Sequence, residues 1–199
     1  MSCEEIMSKI TKFDDLSKRR LGKPKYTVTA IALHWAIAGL IVWGFAMGWV
    51  MTDIPGFSPT KLRYYSWHKW IGVTVLMLVV VRLLWRATHK PPPLPVGTKR
   101  LMATAAHGAH SLLYVLMVAV PVSGYIYTAV VGIQVVYLGV IPLPTMLSPH
   151  PEWRALARNV HVWLDWTLAG VVVLHLLAVV KHTVIDRDGL LSRMLPFGD

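Results

Sequence analysis

The sequence predicts an all-α integral membrane protein, a bundle of four transmembrane helices with both termini in the cytoplasm. Three observations carry this. The 199-residue chain is 55% hydrophobic and only 15% charged, where soluble domains carry about 25% charged residues, and its mean hydropathy is +0.51. Four apolar runs are long enough to cross about 30 Å of hydrocarbon, which takes about 20 residues of helix. The net charge of +10 is distributed as a membrane protein distributes it, not as a nucleic-acid binder does.

The elements follow in order. Residues 1–28 read as a basic arm near the lipid headgroups, with Glu4, Glu5, Asp14 and Asp15 among its cations. They lack the apolar core and cleavage site of a signal peptide. The spans are expected at 29–51, 68–86, 107–131 and 160–181, so that 29–199 forms the four-helix domain. Pro91, Pro92, Pro93 and Pro95 break the second connection into an extended spacer. The connection at 132–159 mixes Val135, Val136, Tyr137 and Leu138 with four prolines, which suits an interfacial cap better than a fifth span. Tyr64, Tyr65, Trp67, Trp70, Trp153, Trp163 and Trp166 form an aromatic belt at that boundary. Residues 9–25, 82–100 and 181–199 hold seven, five and three Lys/Arg, against Lys61, Arg63, Lys69, Arg154 and Arg158 on the opposite side. Fifteen against five puts the termini inside a bacterial inner membrane.

Histidines supply the chemistry. His161 and His175 are fourteen residues apart in the fourth span, which returns to within about 40° of one helix face after about 21 Å of rise. Ionisable groups inside hydrocarbon are costly and mark function. His34 lies at the depth of His175, and His68 at the depth of His161. Two imidazole pairs on facing helices match two six-coordinate b haems, one per leaflet. The single cysteine, Cys3, excludes intramolecular disulfides and a Cys-x-x-Cys-His attachment, so the haem is held without covalent linkage. His107 and His110, level with His34, offer alternative inner ligands, while His182 falls about 10 Å beyond His175. His89 and His150 read as solvated loop residues. Gly72, one turn after His68, is a candidate for close approach of a macrocycle or, equally simply, for helix packing.

The segments "ALHW", "SWHKWIGV", "MLVVVRLLWR", "AHGAHSLLY" and "VLHLLAVVKHTVIDRDGLLSRMLP" resemble the bacterial cytochrome b561 family over residues 24–196. The basic extension before residue 24 matches nothing in that pattern. The resemblance implies two b haems in four transmembrane helices, with His34 and His175 as inner ligands and His68 and His161 as outer ligands. It also implies electron transport in the respiratory membrane, because at least one member is a superoxide oxidase that reduces ubiquinone and others carry electrons for respiratory or hydrogenase partners.

The expected function is therefore oxidoreductase chemistry of the superoxide:ubiquinone type. Lys69, Arg154 and Arg158, close to the outer ligands, would concentrate a small anion. Quinone candidates on the inner side are His107, His110, Lys181 and His182; Tyr125 and Tyr127 are candidates elsewhere, and the sequence leaves both faces open. Expected partners are membrane lipid, quinone, a small anionic or protein donor and a second copy of the chain. One alternative is an electron-carrier subunit for a dehydrogenase or hydrogenase. Another is a histidine-based metal or proton transporter, for which Asp165 is the one clear acidic candidate within the spans.

Overall fold

The computed structural model describes residues 4–9, 25–94 and 97–196. Most of the basic arm, and Pro95 of the spacer, lie outside the described residues; 4–9 are helical. Four helices follow: α1 (Val28–Asp53), α2 (Pro59–Thr88), α3 (Arg100–Val130) and α4 (Arg154–Val180). All are long and apolar enough to cross a membrane. They run 26, 30, 31 and 27 residues, or about 39–47 Å at 1.5 Å per residue, which exceeds the hydrocarbon thickness. Hydropathy detects only the lipid-facing part. α2 begins nine residues before its apolar run because Pro59–Trp67 continues the helix from its Ser58 cap, with Lys61 Nζ donating to Ile54 O at 2.7 Å.

Local signals set the ends. The Thr27 hydroxyl accepts from Ala30 N at 3.3 Å and caps α1. Ser58 accepts from Lys61 N at 3.2 Å and caps α2, with Pro59 at the first helical position. α3 stops at Gly132, whose φ of +81° is disfavoured for a residue with a side chain. Pro121 lies inside α3, and Gly72 of α2 lies against it: a Cβ at Gly72 would stand 3.8 Å from Pro121 Cβ. The structure thus places Gly72 in the packing of α2 on α3.

The core sits between the first three helices. Ile37, Ile71, Val75 and Val79 are buried together, backed by Leu40, Ile41, Tyr114 and Met117. α1 packs along α2, α2 against α3 and α3 along α4, whereas α4 makes almost no backbone contact with α1 or α2. Only Leu168 of α4 is buried. α4 reaches α1 through rings instead, with Trp166 at 5.3 Å from Phe45 and 6.1 Å from Trp49.

Each end of the bundle carries a closing structure. Between α3 and α4 an antiparallel hairpin, β1 (Val136–Tyr137) with β2 (Ile141–Pro142), turns through Leu138 and Gly139, both at positive φ as a type I′ turn requires. Trp70 Nε1 donates to Val136 O at 2.7 Å, and the Thr74 and Tyr137 hydroxyls are 2.9 Å apart. The connection is therefore a cap pinned to α2, and this end is called the cap end below. At the tail end, Lys181–Asp186 widens into a π-helical turn and Arg187 (φ +49°) reverses the chain. The buried Arg193 donates from Nη1 to Pro93 O at 2.7 Å, its own carbonyl accepts from Tyr26 N at 3.3 Å, and Trp35 Nε1 donates to Met194 O at 2.8 Å. The proline spacer is thus part of a clamp that joins the start of α1 to the chain beyond α4.

Candidate functional site

α4 carries His161 near the cap end and His175 near the tail end, and each meets a histidine from another helix. His161 and His68 have ring centres 6.3 Å apart with planes at 76°. His175 and His34 have ring centres 6.4 Å apart with planes at 66°. An imidazole nitrogen binds a transition-metal ion at about 2.0 Å and its ring centre lies about 1.1 Å further back, so two imidazoles on opposite sides of one ion have centres roughly 6.2 Å apart. Both pairs have the spacing that one shared iron demands.

At the cap end the donor atoms are oriented. His68 Nδ1 donates to Gly44 O at 3.0 Å. His161 Nδ1 lies 3.0 Å from Ser123 Oγ, and that hydroxyl gives its one proton to Val120 O at 2.8 Å, so it accepts from the imidazole. In both rings Nδ1 carries the proton and Nε2 keeps a lone pair for a metal, the arrangement that outer hydrogen bonds commonly impose on ligating histidines. His161 Nε2 is also 3.4 Å from Asp165 Oδ2, longer than a normal hydrogen bond and readily displaced.

Two glycines clear the space around these rings: a Cβ at Gly124 would stand 2.8 Å from His161 Cε1, and one at Gly48 3.2 Å from His68 Cε1. Gly44 lets α1 approach α2 instead, a Cβ there standing 3.1 Å from Ile71 Cγ2. Neither ring-clearing glycine is the Gly72 that the sequence singles out. The available signal on α1 was a pair of glycines one turn apart, Gly44 and Gly48.

The tail end differs. His110 of α3 joins His34 and His175, with its ring centre 5.6 Å from that of His175, so three imidazoles lie together where the sequence left the choice open. None makes a hydrogen bond among the described residues. Arg82 is within electrostatic reach of all three. His107 is exposed on the same helix. His182 is committed elsewhere, its Nδ1 3.0 Å from Asp186 Oδ2 and 2.7 Å from Asp188 Oδ2, while Lys181 Nζ holds Asp186 at 2.6 Å. Tyr125 is likewise engaged, donating its hydroxyl proton to Pro144 O.

Lys69 follows His68 and is half-buried; Arg154 and Arg158 are exposed near the start of α4. Among the described residues no carboxylate pairs with any of the three. The nearby Glu152 is held by His150 at 2.9 Å. The cap end therefore carries three cations without a carboxylate partner near its histidine pair, while Asp165 lies beside the imidazoles themselves.

A family model for prokaryotic cytochrome b561 matches residues 25–197. The chain belongs to the prokaryotic cytochrome b561 family. It is similar to "Cytochrome b561 homolog 2" of Escherichia coli (strain K12), 33% identical over 173 residues that cover 86% of this chain and 91% of the relative. It is also similar to "Probable superoxide oxidase CybB" of Yersinia pestis, 26% identical over 176 residues, 86% of this chain and 96% of the relative. A third relative, "Cytochrome b562" of Cereibacter sphaeroides, is 31% identical over 178 residues, 87% and 96% of the two chains. Cytochrome b561 membership and four apolar helices make this a multi-pass protein of the bacterial inner membrane that transfers electrons with b-type haem. The spacing of both histidine pairs and the Nδ1 hydrogen bonding of the cap-end pair fit that cofactor.

Proposed function

We propose that this cytochrome b561 holds two b haems and carries electrons from superoxide at the cap end to ubiquinone. The supporting observation is the repetition of one geometry at two depths, paired imidazoles 6.3 and 6.4 Å apart on either side of a shared helix. His68 and His161 hold one haem; His34 and His175 hold the other. Bound b haem supplies a reversible one-electron carrier. With two histidines available for each haem, the residues would favour electron transfer over binding of oxygen or substrate at the metal.

The remaining residues act on the reactants. Lys69, Arg154 and Arg158 raise the local concentration of a small anion. Two superoxide anions each lose one electron and leave as O2, while quinone gains those two electrons and two protons to become quinol. Of the polar groups considered for quinone, His107, His110 and Tyr127 make no side-chain hydrogen bond among the described residues, whereas Lys181, His182 and Tyr125 are occupied. With Lys and Arg at fifteen to five in favour of the tail end, that end faces the cytoplasm and the cap end the periplasm.

The test is stopped-flow haem reduction by pulsed superoxide across a salt series. The rate should be high and should fall as salt screens attraction beyond about 8–10 Å. Neutralising two of Lys69, Arg154 and Arg158 should lower the rate and flatten the salt dependence with the haem spectrum unchanged. Absence of reduction beyond a dismutase-treated control would reject the superoxide donor and favour a carrier subunit for a dehydrogenase or hydrogenase.

A further inference from the structure

Arg82 lies six residues before the last residue of α2 and so about 9 Å inside it. A guanidinium keeps its charge at any physiological pH, and at this depth an unmatched charge is costly. Its Nε donates to the Tyr114 hydroxyl at 2.9 Å. Its two terminal nitrogens make no hydrogen bond among the described residues. Among the described residues no carboxylate supplies the missing charge: Asp186 and Asp188 are taken by Lys181 and His182, and Asp165 lies near the cap-end pair.

Arg86 stands one turn further on the same face. The two guanidinium carbons lie 5.9 and 5.7 Å from the centre of the Tyr114 ring, and both side chains line a shallow open recess together with Tyr26, Trp85, His89 and Tyr114. Every titratable lining residue is basic or phenolic, so the recess is built for an anion. It adjoins the tail-end histidines, because Arg82 is within electrostatic reach of His34, His110 and His175 and Arg86 of His110.

We propose that Arg82 and Arg86 bind the two propionate carboxylates of the tail-end b haem. This rests on the reading that His34 and His175 hold a haem there. The charges favour it: ferric iron in a porphyrin with both propionates ionised carries a net charge of about −1 under two neutral imidazole ligands, and the paired guanidiniums offset that charge where water does not. Two cations one helical turn apart also match a ligand with two carboxylates on one edge. A phospholipid phosphate shares part of this chemistry but brings a single anionic centre.

Removing a positive charge beside a haem favours its oxidised form. The experiment is a spectroelectrochemical titration of the purified holoprotein, the Arg82→Gln, Arg86→Gln and Arg82→Lys variants, and His175→Ala to identify the tail-end wave. Arg82→Gln should keep two haems per chain and shift only the tail-end wave downward, by about tenfold in the reduction equilibrium or about 59 mV for one electron. Arg86→Gln should shift it less, and Arg82→Lys should restore most of it. Redox-difference infrared spectra with propionate-labelled haem should show carboxylate bands that move in Arg82→Lys. That readout also decides the matter if Arg82→Gln loses the tail-end haem. The shift should be the same in phosphatidylcholine nanodiscs with and without phosphatidylglycerol; a shift seen only with the anionic lipid would assign the recess to a lipid phosphate and overturn the proposal. So would unchanged potentials and carboxylate bands in the variants of a protein that holds both haems. Haem missing from the wild-type protein would instead refute the underlying reading.

Discussion

The two ends of α4 place the same residue type in two different settings. At the cap end, His161 and His68 each give their Nδ1 proton to a fixed acceptor, Ser123 Oγ or Gly44 O, and glycines on α1 and α3 lie against the rings. At the tail end, His34, His110 and His175 make no hydrogen bond among the described residues. They lie beside Arg82 and Arg86 instead. One site is held by hydrogen bonds and close packing, while the other lies among cations. A hydrogen-bonded imidazole has one tautomer and one rotation, so the cap-end pair is pre-organised. Three imidazoles sharing the tail end leave that site more adaptable.

The largest effects come from removing the rings. His68→Ala or His161→Ala should lower haem content from two to one per chain and spare the tail-end haem, while His34→Ala or His175→Ala should do the converse. His110→Ala should keep both. A pyridine haemochrome assay with redox titration reads these outcomes, and full haem content in His34→Ala with loss in His110→Ala would reassign the tail-end ligand to α3.

A subtler substitution separates packing from ligation. Gly124→Ala puts a Cβ 2.8 Å from His161 Cε1, too close for the ring to stay in place, whereas Gly72→Ala meets Pro121 at an ordinary 3.8 Å. Gly124→Ala should lose most of the cap-end haem and Gly72→Ala should retain it, as read by haem content after purification. Equal occupancy in both variants would show that the cap-end ring is not tightly held.

The smallest expected effect is also the most diagnostic of the contrast. Ser123→Ala removes the acceptor for His161 Nδ1 and should weaken the cap-end haem by about 10–100-fold, the usual range for losing an outer hydrogen bond to a metal ligand. Haem transfer to an apoprotein acceptor would measure it. The tail-end haem should be unaffected.

How much could be read in advance depended on whether the interaction was local. The spans and the pairing of His34 with His175 and His68 with His161 were legible because helical rise converts residue number into depth. Gly72 was left between macrocycle contact and helix packing, because its neighbour Pro121 comes from another helix. His182 shares a helical face with His175 by counting, yet Asp186 and Asp188 draw it into their own cluster, a result of the π-helical turn that begins at Lys181. Arg82 and Arg86 read only as positive-inside charges until α3 placed Tyr114 between them.

By itself the sequence determined what depends on composition and one-dimensional spacing. Length and hydropathy require four helices, since an apolar run of about 20 residues satisfies all its backbone groups within one segment only as a helix, and the fourteen-residue interval of α4 requires two levels of imidazole. Tertiary structure decided what depends on rotation and approach between helices: which ring nitrogen carries the proton, which glycines clear a histidine, and which cations gather beside the tail-end imidazoles. Those follow from how α1, α2 and α3 turn about their own axes when they pack, and apolar surfaces that are equally at home in lipid leave that rotation to small residues and hydrogen bonds.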